Sequence, residues 1–393
     1  MEHAARLPDP SADEIAASAI LTAAIRAEIA AHDGYLRFDR YMDRALYAPG
    51  LGYYVGGTTK FGSGGDFVTA PEISPLYGAC IARQCRQVFE RIGGGEILEF
   101  GGGTGRLCLD VLSTLAEMAC LPPRYSIVEL SPALRERQRD LIARERPDLL
   151  SLVSWLSAPP AVPITGVVLA NEILDALPVR VFRVADGVVH ERGIGLDGAA
   201  LAWRERLAAP DFAAQVRCCL DAAGTALEGP YLSEINDRLA IWITDLSCLL
   251  AAGLALLTDY GYPRREYYHP ARSAGTLMCH YRHRLHDDPL WYPGLQDITA
   301  HVDFTAVAEA ADAAGLTVAG FAEQAQFLAA CGITDLAAAR SDRDGDGARA
   351  LANELKRLLL PQHMGTRFKL IALSRGCAGA WLGFGLRDDR HRL

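Results

Sequence analysis

Long apolar runs are missing from this chain of 393 residues. The longest one, Cys248 to Leu257, is interrupted by Gly253, whereas a membrane span needs about 20 apolar residues. The first residues, Met1 to Pro10, have neither an apolar segment nor a basic flank, unlike a secretory signal or an Arg-rich transit peptide. We therefore expect no membrane span, and the missing signals favour the cytoplasm of a bacterial cell.

C-x-x-C cysteine pairs and a basic surplus are missing too. The ten cysteines form no C-x-x-C pair, which argues against a zinc ribbon or a thioredoxin-like site and favours reduced, buried thiols. The formal charge is −9 and the pI is about 5.6. Non-specific nucleic-acid binding needs basic patches that displace counterions, so we expect no nucleic-acid partner. A cationic substrate fits this charge somewhat better.

The N-terminal third indicates helices and loops. At this length, the chain suits one large domain with additions, or two domains. Ser11 and Glu14 form a capping-box pattern, which predicts a helix that ends at Gly34. Residues 35–70 are rich in Gly, Tyr and Asp and are interpreted as loops. Residues 71–93 predict a second helix, ended by three glycines.

From Glu96 onward, short apolar strands alternate with amphipathic helices, which predicts a doubly wound parallel α/β sheet. The predicted strands are 96–100, 125–130, 152–156, 167–170, 254–260, 316–321 and 368–374, and the predicted helices are 106–118, 132–144 and 233–252. Residues 179–203 alternate around turns at Asp186-Gly187 and Asp197-Gly198, which indicates inserted antiparallel strands. Residues 261–300 form a long Tyr/His/Pro-rich segment, and 341–347 a charged surface loop.

A glycine-rich loop lies between the first strand and its helix, in the sequence Glu99-Phe-Gly101-Gly-Gly103-Thr-Gly105. Glycines let the backbone approach a ligand closely, and doubly wound folds bind nucleotides at this edge of the sheet. The dinucleotide fingerprint G-x-G-x-x-G/A fails at Arg106, and no P-loop occurs. Glu129 ends the next strand, where an acid would bind ribose hydroxyls. The end of the third strand, around Trp155, has no carboxylate, so adenine recognition there would rest on stacking or backbone contacts.

Several long motifs resemble the MidA family of class I methyltransferases, whose eukaryotic members are mitochondrial arginine methyltransferases that assist respiratory complex I assembly. They are GDFVTAPEIS at 65–74, the glycine loop, NEILDALPV at 171–179, and shorter matches at 259–261, 275–277 and 297–304. The resemblance spans roughly residues 35–375. Gly102 stands where many members carry proline, and Cys279-His280 departs from the usual basic and aromatic context, which bears on the substrate.

The resemblance implies a class I methyltransferase fold that uses S-adenosyl-L-methionine. An extension over residues 1–92 would cover the cofactor site, and a methyltransferase domain over 93–393 would carry insertions at about 179–232 and 261–305. Its substrate would be a protein arginine, with a respiratory complex I subunit as one candidate. The oligomeric state is open, a homodimer included. The expected cofactor-binding residues are Glu99, Gly101, Gly103, Gly105, Glu129, Leu130, Asn171, Asp66 and Glu72. For Glu72, a helix-capping role beside Pro71 is the alternative.

An arginine acceptor requires carboxylates, because its guanidinium is protonated at neutral pH and binds them bidentately. We expect Glu172 as the main ligand and Asp175 as support. If a helical turn begins there, the two share a face by their i, i+3 spacing. Asn171 and Asp175 could instead cap that helix. Asp259 either lines the acceptor pocket or is a hydrogen-bonded structural residue.

Histidines in the second half of the chain invite two hypotheses. One hypothesis is that His301 accepts a proton and forms a hydrogen-bonded pair with Asp303. His280, His283 and His286 are spaced for one helical face, but adjacent arginines and the lack of paired thiolates argue against a metal, and none is expected. Aromatic residues of the same segment could grip an arginine by cation–π contact, or simply pack the long loop.

Three other functions stay open from the sequence. One is a methyltransferase that acts on a small-molecule acceptor. Another is a cofactor-binding assembly protein that binds partners and turns over little. The third, a dinucleotide oxidoreductase, is disfavoured by the glycine spacing.

Overall fold

The computed structural model describes residues 7–56, 68–341 and 347–393. Its helices are α1 (Ala12–Ala31), α2 (Phe38–Tyr47), α3 (Ala70–Ile73), α4 (Pro75–Ile92), α5 (Arg106–Glu117), α6 (Pro132–Glu145), α7 (Pro210–Ala223), α8 (Leu239–Leu249), α9 (Arg264–Tyr267), α10 (Phe304–Ala313), α11 (Gln324–Ala330), α12 (Ile333–Ser341) and α13 (Ala348–Leu359). Short 3-10 helices occupy Pro147–Leu152, Leu382–Phe384 and Arg390–Arg392.

The strands are β1 (Leu36–Arg37), β2 (Glu96–Phe100), β3 (Tyr125–Val128), β4 (Val153–Leu156), β5 (Ile164–Asn171), β6 (Arg180–Ala185), β7 (Val188–Asp197), β8 (Ala200–Leu207), β9 (Tyr231–Ile235), β10 (Leu250–Tyr262), β11 (Met278–Tyr281), β12 (Arg284–His286), β13 (Asp297–Thr299), β14 (Val302–Asp303), β15 (Thr317–Glu323) and β16 (Phe368–Arg375). The charged segment 342–346 lies outside the described residues.

The chain divides into two units, each assembled from three segments. The first unit comprises Met1–Phe67, Asp175–Leu239 and Arg264–His301. The second unit comprises Val68–Leu174, Ala240–Pro263 and Val302–Leu393. Most of the two expected insertions therefore falls in the first unit together with α1 and α2, whereas α3 and α4 fall in the second.

The second unit is built on an eight-stranded sheet with the order β15-β16-β10-β5-β2-β3-β4, and β14 pairs with the end of β10. From β10 to β4 all neighbours are parallel, and β16 runs antiparallel to β10 and β15. The strand order reverses between β2 and β5, which is where a doubly wound sheet opens a ligand crevice at its carboxyl edge. The predicted α/β class is confirmed.

The strands of this sheet are apolar because helices cover them. Val167, Leu169, Leu254 and Leu256 are buried in one core with side chains of α4 and α5. Both faces of a parallel sheet are normally covered in this way, so its strands appear as continuous apolar runs. The predicted bounds of β2 are reproduced residue for residue, and those of α5 and α6 differ by one residue at the C-terminal end.

The first unit contains two antiparallel sheets. Five strands pair in the order β1-β7-β6-β9, with β8 on β7, and three short strands pair as β12-β11-β13. The turns predicted at Asp186-Gly187 and around Gly198 are confirmed, since all three residues have positive φ angles. The capping box of α1 is also confirmed, with both reciprocal bonds between Ser11 and Glu14 present.

Two sequence interpretations of secondary structure are wrong. Residues 38–47 form α2 rather than a loop, because Phe38, Tyr41, Met42 and Ala45 recur at helical spacing and are buried. Gly, Tyr and Asp residues around them obscured that period. The helix expected over 233–252 begins only at Leu239, since 231–235 is strand β9. Ser233 and Glu234 of β9 are polar but buried, so the sequence lacks the alternation of apolar and polar residues that is typical of a strand.

The helical reading of the three spaced histidines is also wrong. His280 lies on β11 and His286 on β12, and the strands are joined by a turn in which Arg282 and His283 have positive φ angles. Over residues 7–56, 68–341 and 347–393, no cluster of three or more His, Cys, Asp or Glu side chains could hold a metal ion. Within the same ranges, no helix is long and apolar enough to cross a membrane.

Candidate functional site

The glycine loop forms the turn from β2 into α5, at the carboxyl edge of the sheet. Gly101, Gly103 and Gly105 have φ angles of 63°, 52° and 90°, which side chains rarely adopt. The Gly101 amide donates to the Val128 carbonyl at 3.0 Å, so the loop is tied to β3. A Cβ atom added to Gly103 would meet no heavy atom within 4 Å. The loop therefore leaves space for a ligand above Gly103.

Neighbouring segments hold the loop from two directions. A Cβ atom at Gly101 would lie 2.6 Å from Ile173 Cδ1, which belongs to the segment after β5. A Cβ atom at Gly105 would lie 3.2 Å from Gln138 on α6. Glycine is required at both positions because the loop is packed closely on both sides.

Glu129 lies directly after β3, at the same edge of the sheet. The residue is only 6% exposed, and its Oε1 accepts a hydrogen bond of 2.9 Å from the Ser131 amide. Burial raises the pKa of Glu129, whereas its hydrogen bonds with Ser131 and Gln138 act in the opposite direction. A carboxylate has about four acceptor sites. The Ser131 amide, the Leu130 amide and Gln138 use three of them, so one remains for a hydroxyl. The adjacent Leu130 is 55% exposed and offers an apolar surface.

Sequence reasoning missed Gln138, which connects the glycine loop with the segment after β3. Its Nε2 donates to the Gly103 carbonyl at 2.9 Å and to Glu129 Oε2 at 3.2 Å, and its Oε1 accepts from Trp155 Nε1 at 2.9 Å. The signal was present in the helix period: Leu134, Gln138 and Ile142 form the buried stripe of α6. A glutamine within such an apolar stripe indicates a buried polar partner.

Glu99 lies on β2 and its side chain is buried. It is 2% exposed, and its Oε2 accepts a hydrogen bond of 2.9 Å from the Tyr125 hydroxyl on β3. Burial raises the pKa of this carboxyl to about 7, with the charge of Glu129 adding to the rise and the Tyr125 bond opposing it. These contacts tie β2 to β3 directly beneath the glycine loop.

Of the two acids expected over the cofactor, the structure describes one. Glu72 on α3 accepts a hydrogen bond from the Thr104 hydroxyl, inside the glycine loop. The motif around Glu72 is thus in contact with the loop that follows it by some thirty residues. Asp66 lies outside the described residues.

Asn171 and Glu172 follow β5 and form a hydrogen-bonded pair. Asn171 Oδ1 accepts a hydrogen bond of 2.8 Å from the Tyr77 hydroxyl, which orients its Nδ2 to donate to Glu172 Oε1 at 3.1 Å. The Glu172 amide donates to the Thr258 carbonyl at 2.8 Å, and its φ angle is 55°. A non-glycine residue held in this region is strained, and such strain recurs at functional sites.

The condition under which Glu172 and Asp175 would share a helical face is not met, because no helix forms between β5 and β6. Asp259 instead shapes this turn. It is fully buried, and its Oδ2 accepts a hydrogen bond of 2.9 Å from the Leu174 amide while its Oδ1 accepts one from Tyr260. Asp259 therefore fixes the backbone at Leu174, and the helix-capping alternative for Asn171 and Asp175 is removed with the helix.

Asp175 and His301 belong to the first unit. The Asp175 carbonyl accepts from the Ala300 amide at 3.0 Å, and the His301 amide donates to Thr276 Oγ1 at 3.0 Å. Thr276 is in turn bound by the buried carboxylate of Glu234. Asp303, in the second unit, accepts from the Thr305 and Ala306 amides and so caps α10.

Some tyrosines of the long aromatic segment have structural partners. The Tyr267 hydroxyl donates to Glu234 Oε2 at 3.4 Å, and the Tyr268 hydroxyl to the Glu234 carbonyl at 3.0 Å. The rings of Tyr281 and Trp291 meet edge to face with centroids 4.7 Å apart. Loop packing thus accounts for these contacts.

The chain is similar to known proteins over most of its length. A family model described as S-adenosyl-L-methionine-dependent methyltransferase matches residues 80–322. The Mus musculus protein named protein arginine methyltransferase NDUFAF7, mitochondrial, is 29% identical over 380 residues, which cover 86% of this chain and 81% of that protein. The Drosophila melanogaster homologue is 28% identical over 420 residues and covers 97% of this chain and 91% of its own length.

Solved structures extend the comparison to the whole chain. A crystal structure of a Burkholderia thailandensis protein bound to S-adenosyl-homocysteine is 43% identical, with a TM-score of 0.93, and covers 99% of this chain and 100% of that one. A native structure from the same organism has a TM-score of 0.90 at the same identity and coverage.

Proposed function

Because the chain belongs to the family of S-adenosyl-L-methionine-dependent methyltransferases, we propose that the group it methylates is the guanidinium of a protein arginine. The observation that carries the proposal is the strained, hydrogen-bonded Glu172 at the carboxyl end of β5. Relatives that cover most of the chain are named protein arginine methyltransferases, which supports the same acceptor.

The cofactor site that we propose lies in the second unit. The open space above Gly103 and the buried acid Glu129 fit a nucleoside, with Gly101 and Gly105 shaping the loop and Leu130 offering apolar surface. Asn171 and Glu72 border the same loop region, Glu99 supports it from within the sheet, and Asp66 stays a candidate on the resemblance alone. When bound, the cofactor supplies a methyl group on a positively charged sulfonium. The protein's task is to align donor and acceptor and to exclude water.

In this proposal, Glu172 binds and orients the guanidinium. A carboxylate matches the planar fork of arginine and holds it through charge-assisted hydrogen bonds. The Asn171 amide fixes the Glu172 carboxylate, and Asp259 fixes the backbone of Leu174 two residues further on. Asp259 is therefore a positioning residue here, while Asp175 is proposed to support the acceptor.

The test is a methylation assay that does not presuppose the acceptor. Cell extract is incubated with the protein and isotopically labelled methyl donor, and labelled residues are identified by mass spectrometry. We expect label on arginine, and a loss of about 100-fold for Glu172→Gln with unchanged affinity for S-adenosyl-homocysteine. Glu117→Gln, at an exposed position of α5, is the matched control. Label confined to lysine or to small molecules would contradict the proposal.

His301 is proposed as the group that accepts a proton from the acceptor. Transfer of a methyl group to a guanidinium nitrogen releases one proton, and a histidine can take it near neutral pH. We expect His301→Gln to leave the affinity for S-adenosyl-homocysteine intact and to lower turnover on the labelled acceptor. Unchanged turnover would remove His301 from the mechanism.

We propose that the acceptor protein is a subunit of respiratory complex I and that it is methylated in the bacterial cytoplasm. The support is the resemblance to a family whose eukaryotic members assist assembly of that complex. The labelled peptide from the extract assay identifies the acceptor directly. A double variant, Glu172→Gln with Asp175→Asn, separates turnover from partner binding: if it binds cofactor and still supports complex I assembly in cells, the assembly-protein alternative is favoured.

A further inference from the structure

We infer that Gln138 is a positioning residue for the cofactor, which joins the glycine loop and the ribose-facing acid into one rigid surface. Its side chain is fully buried on α6 and makes three hydrogen bonds to groups from three different segments. The inference rests on the proposed cofactor site, because Gly103 and Glu129 are the residues that Gln138 holds.

The orientation of the Gln138 amide follows from its partners. Gly103 O and Glu129 Oε2 are both acceptors, so they require the two hydrogens of Nε2, whereas the Trp155 indole N–H requires the Oε1 acceptor. A flipped amide would place oxygen against oxygen twice and N–H against N–H once. All hydrogen-bonding groups of this amide are therefore engaged, and its position is fixed.

The hydrogen bonds of Gln138 hold two groups of the proposed site at a fixed separation. Gly103 lies in the loop after β2, and Glu129 lies after β3, so no backbone element joins them directly. Gln138 spans this gap with a single Nε2 atom, 2.9 Å from Gly103 O and 3.2 Å from Glu129 Oε2. Without that bridge, each partner would have to find another donor, and the Gly103 carbonyl and the Glu129 carboxylate would lose the shared donor that holds them together. A pre-organised site loses less entropy when it binds.

Gln138→Met tests the bridge, because methionine keeps the length and approximate volume of the side chain but removes its hydrogen bonds. We expect the affinity for S-adenosyl-homocysteine, measured by titration calorimetry, to fall at least about tenfold. The matched control is Gln324→Met: Gln324 is also fully buried and donates from Nε2 to the Leu358 carbonyl at 3.0 Å. It should cost stability while leaving the affinity within about twofold, as expected for a buried hydrogen bond outside the site.

A spectroscopic readout separates positioning from general stability. Trp155 is one of five tryptophans, and its emission is isolated by subtracting the spectrum of Trp155→Phe. We expect Gln138→Met to shift this emission in the free protein, and Gln324→Met to leave it unchanged. If Gln138→Met does not fold, Gln138→Glu keeps the side-chain shape. Its carboxylate would face Glu129 and the Gly103 carbonyl, so its affinity at pH 8 should also fall at least about tenfold.

The outcomes are distinguishable. Wild-type affinity in the folded Gln138 variants would overturn the inference while leaving the proposed site intact. Failure of the wild-type protein itself to bind S-adenosyl-homocysteine would instead remove the proposed cofactor site.

Discussion

Single residues of the site combine strained backbone with particular contacts. Gly103 has a positive φ angle and open space where a Cβ atom would lie, whereas Glu172 carries a side chain despite a positive φ angle. Glu99 is an acid that the fold keeps away from solvent and binds to Tyr125. Each of these residues departs from what its type prefers, and each departure leads to a measurable consequence.

Gly103→Ala should weaken ligand binding. The added Cβ would occupy the open space above the loop, so we expect the affinity for S-adenosyl-homocysteine to fall about tenfold, measured by calorimetry. Gly198→Ala is the matched control, because its φ of 57° is close to the 52° of Gly103 and it also meets no heavy atom within 4 Å. Both variants should lose about 1–2 kcal/mol of stability from backbone strain. Equal affinity in the two variants would contradict an open ligand face at Gly103.

Glu99 should make the protein less stable as pH rises. Its folded pKa of about 7 lies above its ordinary value of 4.5, so the folded state binds the proton more tightly than the unfolded state does. Stability is therefore lost as pH rises from about 4.5 to about 7 and is level above that. Glu99→Gln removes this loss, and its stability relative to wild type should increase by on the order of 3 kcal/mol between pH 4.5 and 8.

Urea denaturation at several pH values measures the effect of Glu99→Gln. Glu117→Gln, at an exposed position, should show no such change across the same range. A difference between Glu99→Gln and wild type that stays constant with pH would show that the Glu99 carboxyl ionises as easily in the folded state as in the unfolded one.

At the scale of elements, the parallel strands at the centre of the sheet have glycines at paired positions where their backbones lie close together. Gly166 on β5 pairs with Glu96 on β2 and with Gly253 on β10. A Cβ atom at Gly166 would lie 1.9 Å from the Glu96 carbonyl oxygen, and one at Gly253 would lie 1.9 Å from the Gly166 carbonyl oxygen. The strands therefore leave no room for a side chain at Gly166 or Gly253.

Gly166→Ala should therefore destabilise the central sheet by about 3 kcal/mol, because backbone atoms would have to separate to admit the methyl group. Gly93→Ala is the comparison within the same unit: it ends α4 with a φ of 81° and meets no heavy atom within 4 Å, so only backbone strain of about 1 kcal/mol applies. Denaturant titration of both variants measures the contrast. Equal losses would show that β5 and β2 do not approach this closely.

At the scale of the whole molecule, three chain segments contribute to each unit. The residues of the proposed cofactor site that the structure describes belong to the second unit, as do the segments directly after β2 and β3. Asp175 and His301 belong to the first unit. A ligand at the proposed site should therefore stabilise the second unit directly.

S-adenosyl-homocysteine at 100 times its Kd should add about 2.7 kcal/mol to the stability of the state that binds it. Hydrogen–deuterium exchange locates this effect. We expect slower exchange in peptides that cover 99–105 and 128–138, and no change in the β7–β8 hairpin of the first unit, which serves as an internal reference. Protection confined to that hairpin would place the ligand elsewhere.

The sequence by itself determined the features that depend on local pattern. The glycine loop, the bounds of β2, α5 and α6, the capping box of α1 and the turn at Asp186-Gly187 follow from spacing and residue type, because neighbours in the chain decide them. The motifs with their resemblance also indicated the family and its cofactor, which the comparisons confirm.

Only the tertiary structure decided which distant side chains meet. Gln138 reaches Gly103 and Trp155, and Asp259 reaches Leu174, through contacts that no local period encodes. The helical turn that the sequence allowed after β5 does not form, and Asp259 and Thr258 bind the backbone there. Side chains far apart in sequence are brought together by burial and hydrogen bonding in the folded core, and a linear pattern of residues does not contain that geometry.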